Sequence, residues 1–388
     1  MFLILLAITG TLPWVITKFV FGHVVNYIQV VLTGICIISA GFLLSWASDA
    51  SRKYISGALS IAIVAILAVL PEYAVDIYLS YKAGIDEQYS HYAVANMTGA
   101  NRLLIGVGWP AILLAFLVFG RKGAEINLKS GIEFDEKVRN EIFFLLISTI
   151  WSFNLFIKKS ISLIDSLFLI LIFGIYIYRA SKEETEELEE DFEPIRTINH
   201  LKKGVAIPLI VFMFAWSGFA IFISAESFAE GLISLGKEFG INEFLLIQWL
   251  APFASESPEF VIVLIWAVKA RGSDALRALV SSKVNQWTLL IGCIPLAYSF
   301  SKFIHGKENV LGALALDHRQ QWEVFLTSAQ SLFAFFLIYD LKFSLKEALL
   351  LAVLFFAQFF VEHLREEMTF VYFALCIPFF ILKYYKKV

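Results

Sequence analysis

Charge is scarce in this chain. Asp, Glu, Lys and Arg make up 17% of the 388 residues, against 59% hydrophobic. Soluble domains carry roughly a quarter charged residues, so an ordinary water-facing surface is excluded. The net charge is −3 with no clustered basic face, which leaves nucleic acid without a docking surface. Cysteine is almost absent: Cys36, Cys293 and Cys376 stand singly in apolar runs, without the spacing of a metal site or a disulfide framework. The six His residues fall mostly at the ends of apolar segments and read as interfacial. No nucleophile–base pair and no glycine-rich phosphate loop is present. Enzyme chemistry is therefore not expected, and neither is a bound cofactor.

Long apolar runs are what the chain has instead. Mean hydropathy is +0.74, with 38 Phe, and blocks of about 20 apolar residues, the length of a bilayer-spanning helix, recur from end to end. Backbone groups in lipid must bond within their own segment, so the expected fold is an all-α polytopic membrane protein. The pattern predicts about twelve helices, over 2–21, 24–48, 54–80, 91–119, 138–157, 160–178, 204–227, 241–269, 274–299, 321–341, 344–361 and 368–385. Residues 1–21 lack a basic leader and a small-residue cleavage site, so a retained helix is expected. Roughly twice as many Lys and Arg fall on one side of this threading as on the other, which puts both termini in the cytoplasm. The inner (plasma) membrane is the expected location and the lipid bilayer the surrounding partner. Oligomeric state is left open.

The chain divides at an acidic linker. Residues 181–203 hold a run from Glu183 to Glu193 that stops at Pro194, and they separate halves at 24–180 and 204–362. Residues 1–23 and 363–388 are extra terminal helices. The halves share a pattern. Leu70-Pro71-Glu72 is followed by Asn96 through Asn101 and Gly106; Ser257-Pro258-Glu259 is followed by Asn285 and Gly292. The corresponding segments, about 54–108 and 240–292, lie five helices apart. An odd offset reverses orientation across the bilayer, which predicts an inverted repeat of five plus five helices with a site near the midplane.

Proline and carboxylate sit together in both segments. Each proline lacks an N–H and frees the carbonyl four residues earlier: Leu67 for Pro71, Gln248 for Pro252 and Ala254 for Pro258. The helix over 241–269, about 40 Å long if straight, is expected to be tilted and broken there. Glu72 and Asp76 share a helix face, as do Glu256 and Glu259, and Ser281 and Asn285. A charged group in hydrocarbon costs about 2.5–3.5 kcal/mol, so such groups are not filler. Carboxylates beside hydroxyls and freed carbonyls form a hard-oxygen set of the kind Ca²⁺ takes. Arg102 and Lys283 are the two basic residues inside these segments. Four acids less two bases would leave a charge of −2, if all six shared one cavity.

With these residues in place, the chain resembles the cation/calcium exchanger superfamily, best known for the sodium/calcium exchangers. Members carry two repeats, each with a G-T-S-x-P-E element and a later G-S-N-x-x-N/D element. From Gly240 to Glu259 the fit has no gap: Ala254 stands for the Gly, Ser255 for the Thr, Glu256 for the Ser, and Pro258-Glu259 match. Val280 through Asn285 resembles the later element and places Ser281 and Asn285 at ligand positions. In the first repeat Pro71-Glu72 match, but Leu67-Ala68-Val69 replace Gly-Thr-Ser. Asn101 is taken as the ligand amide because it mirrors Asn285, although Asn96 through Asn101 also align as G-N-x-x-G-S-N.

The resemblance implies an alternating-access antiporter. Glu72 and Glu259 would be the central ligands of the transported Ca²⁺ or similar divalent cation, with Asn101, Ser281, Asn285 and Ser255 completing the shell. Ala68, Val69 and Met97 stand where the family has Na⁺-binding hydroxyls, which depletes at least one Na⁺ site. Asp76 and Glu256 are extra acids that could carry protons, so Na⁺ and H⁺ both stay open as the counter-ion. Two other readings stand beside this one. A monovalent cation/proton antiporter would use Lys283 or Arg102 as a built-in cation, and a non-transporting scaffold would have inherited the repeats alone.

Overall fold

The computed structural model describes residues 1–22, 24–54, 69–121, 125–182 and 193–385. The expected helix over 54–80 is therefore seen from Val69 onward, with residues 55–68, Leu67 and Ala68 among them, outside the described residues. Most of the acidic run, 183–192, lies outside them too. The helices are α1 (Phe2–Phe21), α2 (Asn26–Ser51), α3 (Leu70–Ala83), α4 (Gln88–Gly120), α5 (Glu136–Lys158) and α6 (Leu163–Ala180). After a short helix at Ile195–His200 come α7 (Lys203–Phe239), α8 (Glu243–Val268), α9 (Gly272–Ile304), α10 (His318–Ile338), α11 (Leu345–Phe360) and α12 (Arg365–Tyr385). Eight described segments, α1, α2 and α4 through α9, are long and apolar enough to cross a membrane.

Two compact units account for the packing, and they do not follow the sequence halves. One comprises Met1–Leu79 with Ile177–Glu259, the other Ser80–Tyr176 with Phe260–Val388. Each draws on both halves, and α3, α6 and α8 each contain a division point.

In the first unit Trp14, Cys36, Ala40, Leu44, Ala220 and Ile221 form one buried cluster joining α1, α2 and α7. Small residues let these helices close up. A Cβ at Gly231 would lie 2.9 Å from Val30 Cγ2, and close backbone approach at small residues is how helices associate in lipid. Two indoles find polar partners: Trp14 Nε1 donates to Ile223 O at 3.4 Å and Trp216 Nε1 to Thr11 Oγ1 at 2.9 Å. α7 runs twelve residues past its expected end at 227. No proline lies between Phe228 and Phe239, the glycines there (Gly231 and Gly236) are buried and tightly packed, and the chain turns only at Gly240, whose φ of 65° suits glycine.

The second unit is built around α10. Its start is a capping box of Asp317 and Gln320, and Ser344 with Glu347 caps α11 likewise. Ser152 and Ser328 hydrogen-bond at 2.7 Å between α5 and α10, and Phe156 stacks on Phe325 with centroids 4.0 Å apart. Two short antiparallel ribbons tie the loops. β1 (Gly131–Glu133) pairs with β4 (Lys342–Ser344), and β2 (Ser160–Ile161) with β3 (Leu314–Ala315).

Candidate cation site

Four carboxylates gather in the first unit. Glu72 and Asp76 project from α3, Glu256 and Glu259 from α8, and the charge on Glu72 interacts with Glu259, Glu256 and Asp76. Burial is nearly complete: Glu72 is 4% exposed, Asp76 1% and Glu256 0%, with Glu259 half-buried. Oε2 of Glu72 accepts no hydrogen bond from the described residues. An acceptor that is buried and unsatisfied costs about 1–3 kcal/mol, more when charged. Like charges in close company add repulsion, which a bound cation or protons would remove. Among the described residues, no three His, Cys, Asp or Glu side chains are already grouped as a metal cage. The acids are neighbours, not yet converged ligands.

α8 reaches this site without breaking, contrary to the expectation from its prolines. Pro258 lies inside a continuous α-helix from Ala251 to Val268. The loosening sits earlier, in a π-helical turn at Leu246–Leu250 that ends just before Pro252. Widening the turn takes up the lost donor at Pro252, a usual place for such a bulge. Ser255 stays in the helical register. Its hydroxyl donates to the carbonyls of Ala251 and Pro252, both at 3.2 Å, and is buried beside Glu256. Hydroxyl lone pairs remain for a cation.

The second unit holds the amides. Asn101 sits at the end of the α-helical part of α4, three residues before a π-helical turn at Leu104–Gly108. Asn285 immediately precedes a matching turn at Gln286–Leu290 in α9. π-turns concentrate at functional sites, and these two, among five in the described residues, each follow a candidate amide. Asn101 Nδ2 donates to Met97 O at 2.8 Å, which leaves Oδ1 to accept from Lys283 Nζ at 2.7 Å. Ser281 Oγ and Tyr176 Oη hydrogen-bond at 2.6 Å.

Arg102 has a different employment from the one the charge sum assumed. Its guanidinium pairs with Glu323 on α10, which also accepts from Arg365 Nε at 2.6 Å. Arg102 therefore braces α4 against α10 and α12. Its charge is answered by Glu323, a partner acid that the sum of four acids less two bases left out. Glu323 escaped the sequence reading because it lies early in a helix beginning His-Arg-Gln-Gln-Trp-Glu, which looks like a polar segment end. Its 1% side-chain exposure belongs to the packed protein alone. Lys383 is a similar case, buried against Asp340 and Glu347 at 2.6 Å each.

Residues 25–182 and 209–362 both match the family described as sodium/calcium exchanger protein. The chain belongs to that family. This makes it an integral, multi-pass membrane protein, in keeping with the eight apolar spans among its described residues. The exchanger is similar over 98% of its length to the crystal structure of an H⁺/Ca²⁺ exchanger, CAX. Identity is 43%, the TM-score is 0.91, and 94% of that chain is covered. Structures of the sodium–calcium exchanger NCX_Mj share the fold more distantly. One is 16% identical with a TM-score of 0.55, covering 87% of this chain and 98% of that one; another is 14% identical with a TM-score of 0.56 over the same 87% and 98%. No curated protein sequence matches the chain.

Proposed function

We propose that this exchanger is a secondary antiporter that carries Ca²⁺, or a similar divalent cation, across the membrane in exchange for H⁺ by alternating access. The observation that carries this reading is the carboxylate group of Glu72, Asp76, Glu256 and Glu259, gathered on helices that are otherwise apolar. Charge kept at such depth marks an ion pathway by default. Ca²⁺ and protons are the natural alternatives at one set of acids, because a divalent ion binds only the deprotonated form. Loss of protons on one side and of metal on the other is then the coupling. The 43% identity to an H⁺/Ca²⁺ exchanger favours H⁺ over Na⁺ as counter-ion.

In this reading Glu72 and Glu259 hold the divalent ion, Ser255 adds a hydroxyl, and Asp76 and Glu256 take up protons. Asn101, Ser281 and Asn285 are the cation-handling groups of the second unit. The two halves are an inverted repeat of five plus five helices, with extra helices at the two ends and about twelve in all. Both termini face the cytoplasm and the inner (plasma) membrane is the host. The test is Ca²⁺ flux in proteoliposomes under separate pH and Na⁺ gradients. A pH gradient alone should drive Ca²⁺. Movement driven by Na⁺ alone would make Na⁺ the counter-ion, and no movement of Ca²⁺ under either gradient would leave a monovalent cation/proton antiporter or a scaffold.

A further inference from the structure

We infer that the ammonium of Lys283 is a resident cation: it occupies the carboxamide oxygen of Asn101 in place of a free monovalent ion and so frees the exchanger from Na⁺. This rests on the antiporter reading above and concerns which ions it needs. Three observations in the second unit carry it. Lys283 is 0% exposed, among the largest fully buried side chains in the protein. Its Nζ lies 2.7 Å from Asn101 Oδ1, and the orientation of that amide is set independently by the bond from Nδ2 to Met97 O. The same Nζ stands 4.0 Å from the ring centre of Trp287, one turn further along α9, where the indole face attracts a cation.

Each of these contacts is one that a small monovalent cation would also make. A neutral carboxamide oxygen is a hard donor of the type that binds metal cations, and an aromatic face stabilises a positive charge whatever carries it. Lysine supplies the charge on a four-carbon stem as a compact point charge, so it can seat itself there without diffusing in. A tethered ammonium binds as an intramolecular group, so its occupancy does not depend on the bulk ion concentration. A free ion would have to displace it before reaching Asn101. The position is also adjacent in sequence to Arg102, which is engaged with Glu323. α4 thus presents two neighbouring side chains with separate tasks: Asn101 receives the cation and Arg102 holds the helix.

The test is ion-dependent thermal stability of the full-length protein in detergent, read beside Ca²⁺ flux, with NaCl compared against choline chloride. Wild type should melt at the same temperature in both salts. Lys283→Met keeps the length and removes the charge, and it should gain a Na⁺-dependent rise in melting temperature that choline does not give. Lys283→Arg, which keeps the charge, should stay insensitive. A wild type that Na⁺ stabilises overturns the inference, as does a Lys283→Met protein that responds to Na⁺ no more than wild type. If Lys283→Met is recovered folded only in Na⁺-containing buffer, a free ion has replaced the tethered one; loss in Na⁺ and choline alike counts against it. Absence of any Ca²⁺ flux in wild type would defeat the antiporter reading, while the melting experiment would still judge the lysine.

Discussion

Gly41 and Pro258 touch where no side chain could intervene. A Cβ on Gly41 would lie 2.6 Å from Pro258 Cγ, so α2 and α8 meet backbone against ring, one residue before Glu259. The proline ring is stiff and cannot swing away as a long side chain would.

Gly41→Ala should therefore push α8 and move Glu259 with it. Overpacking of this kind costs about 1–3 kcal/mol. The expected outcome is a lower melting temperature together with weaker Ca²⁺ protection. A variant that melts and binds like wild type would show that the contact is slack.

Glu72→Gln and Glu259→Gln should each remove Ca²⁺-driven stabilisation and abolish flux. A loss of at least about tenfold in apparent affinity, or roughly 1.4 kcal/mol, is expected from removing one ligand charge. Calcium titration of the purified variants measures it. Undiminished affinity in both would remove these two acids from the ion site.

Protons and Ca²⁺ should compete. Metal binding releases protons from its carboxylate ligands, so apparent Ca²⁺ affinity must fall as pH falls. The slope of log affinity against pH counts the protons displaced. Asp76→Asn and Glu256→Gln should each flatten that slope while leaving Ca²⁺ binding in place at high pH. An unchanged slope in both variants would mean that the exchanged protons sit elsewhere.

Glu323→Gln should cost stability more than transport chemistry. It strips the carboxylate from between Arg102 and Arg365, both of which point at it. Breaking a buried ion pair on one side costs about 3–5 kcal/mol, because the remaining charge is stranded. Unfolding of the purified variant should show a large loss, and the double change Glu323→Gln with Arg102→Met should recover part of it. Equal instability of the single and double variants would contradict a bracing role.

Much of the helical plan is legible in the chain because hydropathy in lipid acts segment by segment. The apolar runs that announce α1, α2, α5 and α6 contain their own hydrogen bonds, and no distant residue is needed to define them. Errors arise where a polar stretch remains helical. α7 continues through Ser227 to Phe239 because the stretch holds no proline and its small residues, Gly231 and Gly236 included, are buried in close packing, and only Gly240 ends it. The π-turn before Pro252 has the same character: proline announces a lost hydrogen bond, but the packed helix decides whether it breaks or widens.

By itself the sequence determined that the protein lies in a bilayer and that Glu72 and Glu259 follow prolines in related segments with Asp76 and Glu256 near them. Those are consequences of composition and spacing, which act over one or two helical turns. Tertiary structure decided what each buried charge meets. Lys283 reaches Asn101 and Arg102 reaches Glu323 across separations of 182 and 221 residues, and no local pattern encodes a partner that far away. In a medium that cannot solvate a charge, that partner determines what the charged group can do.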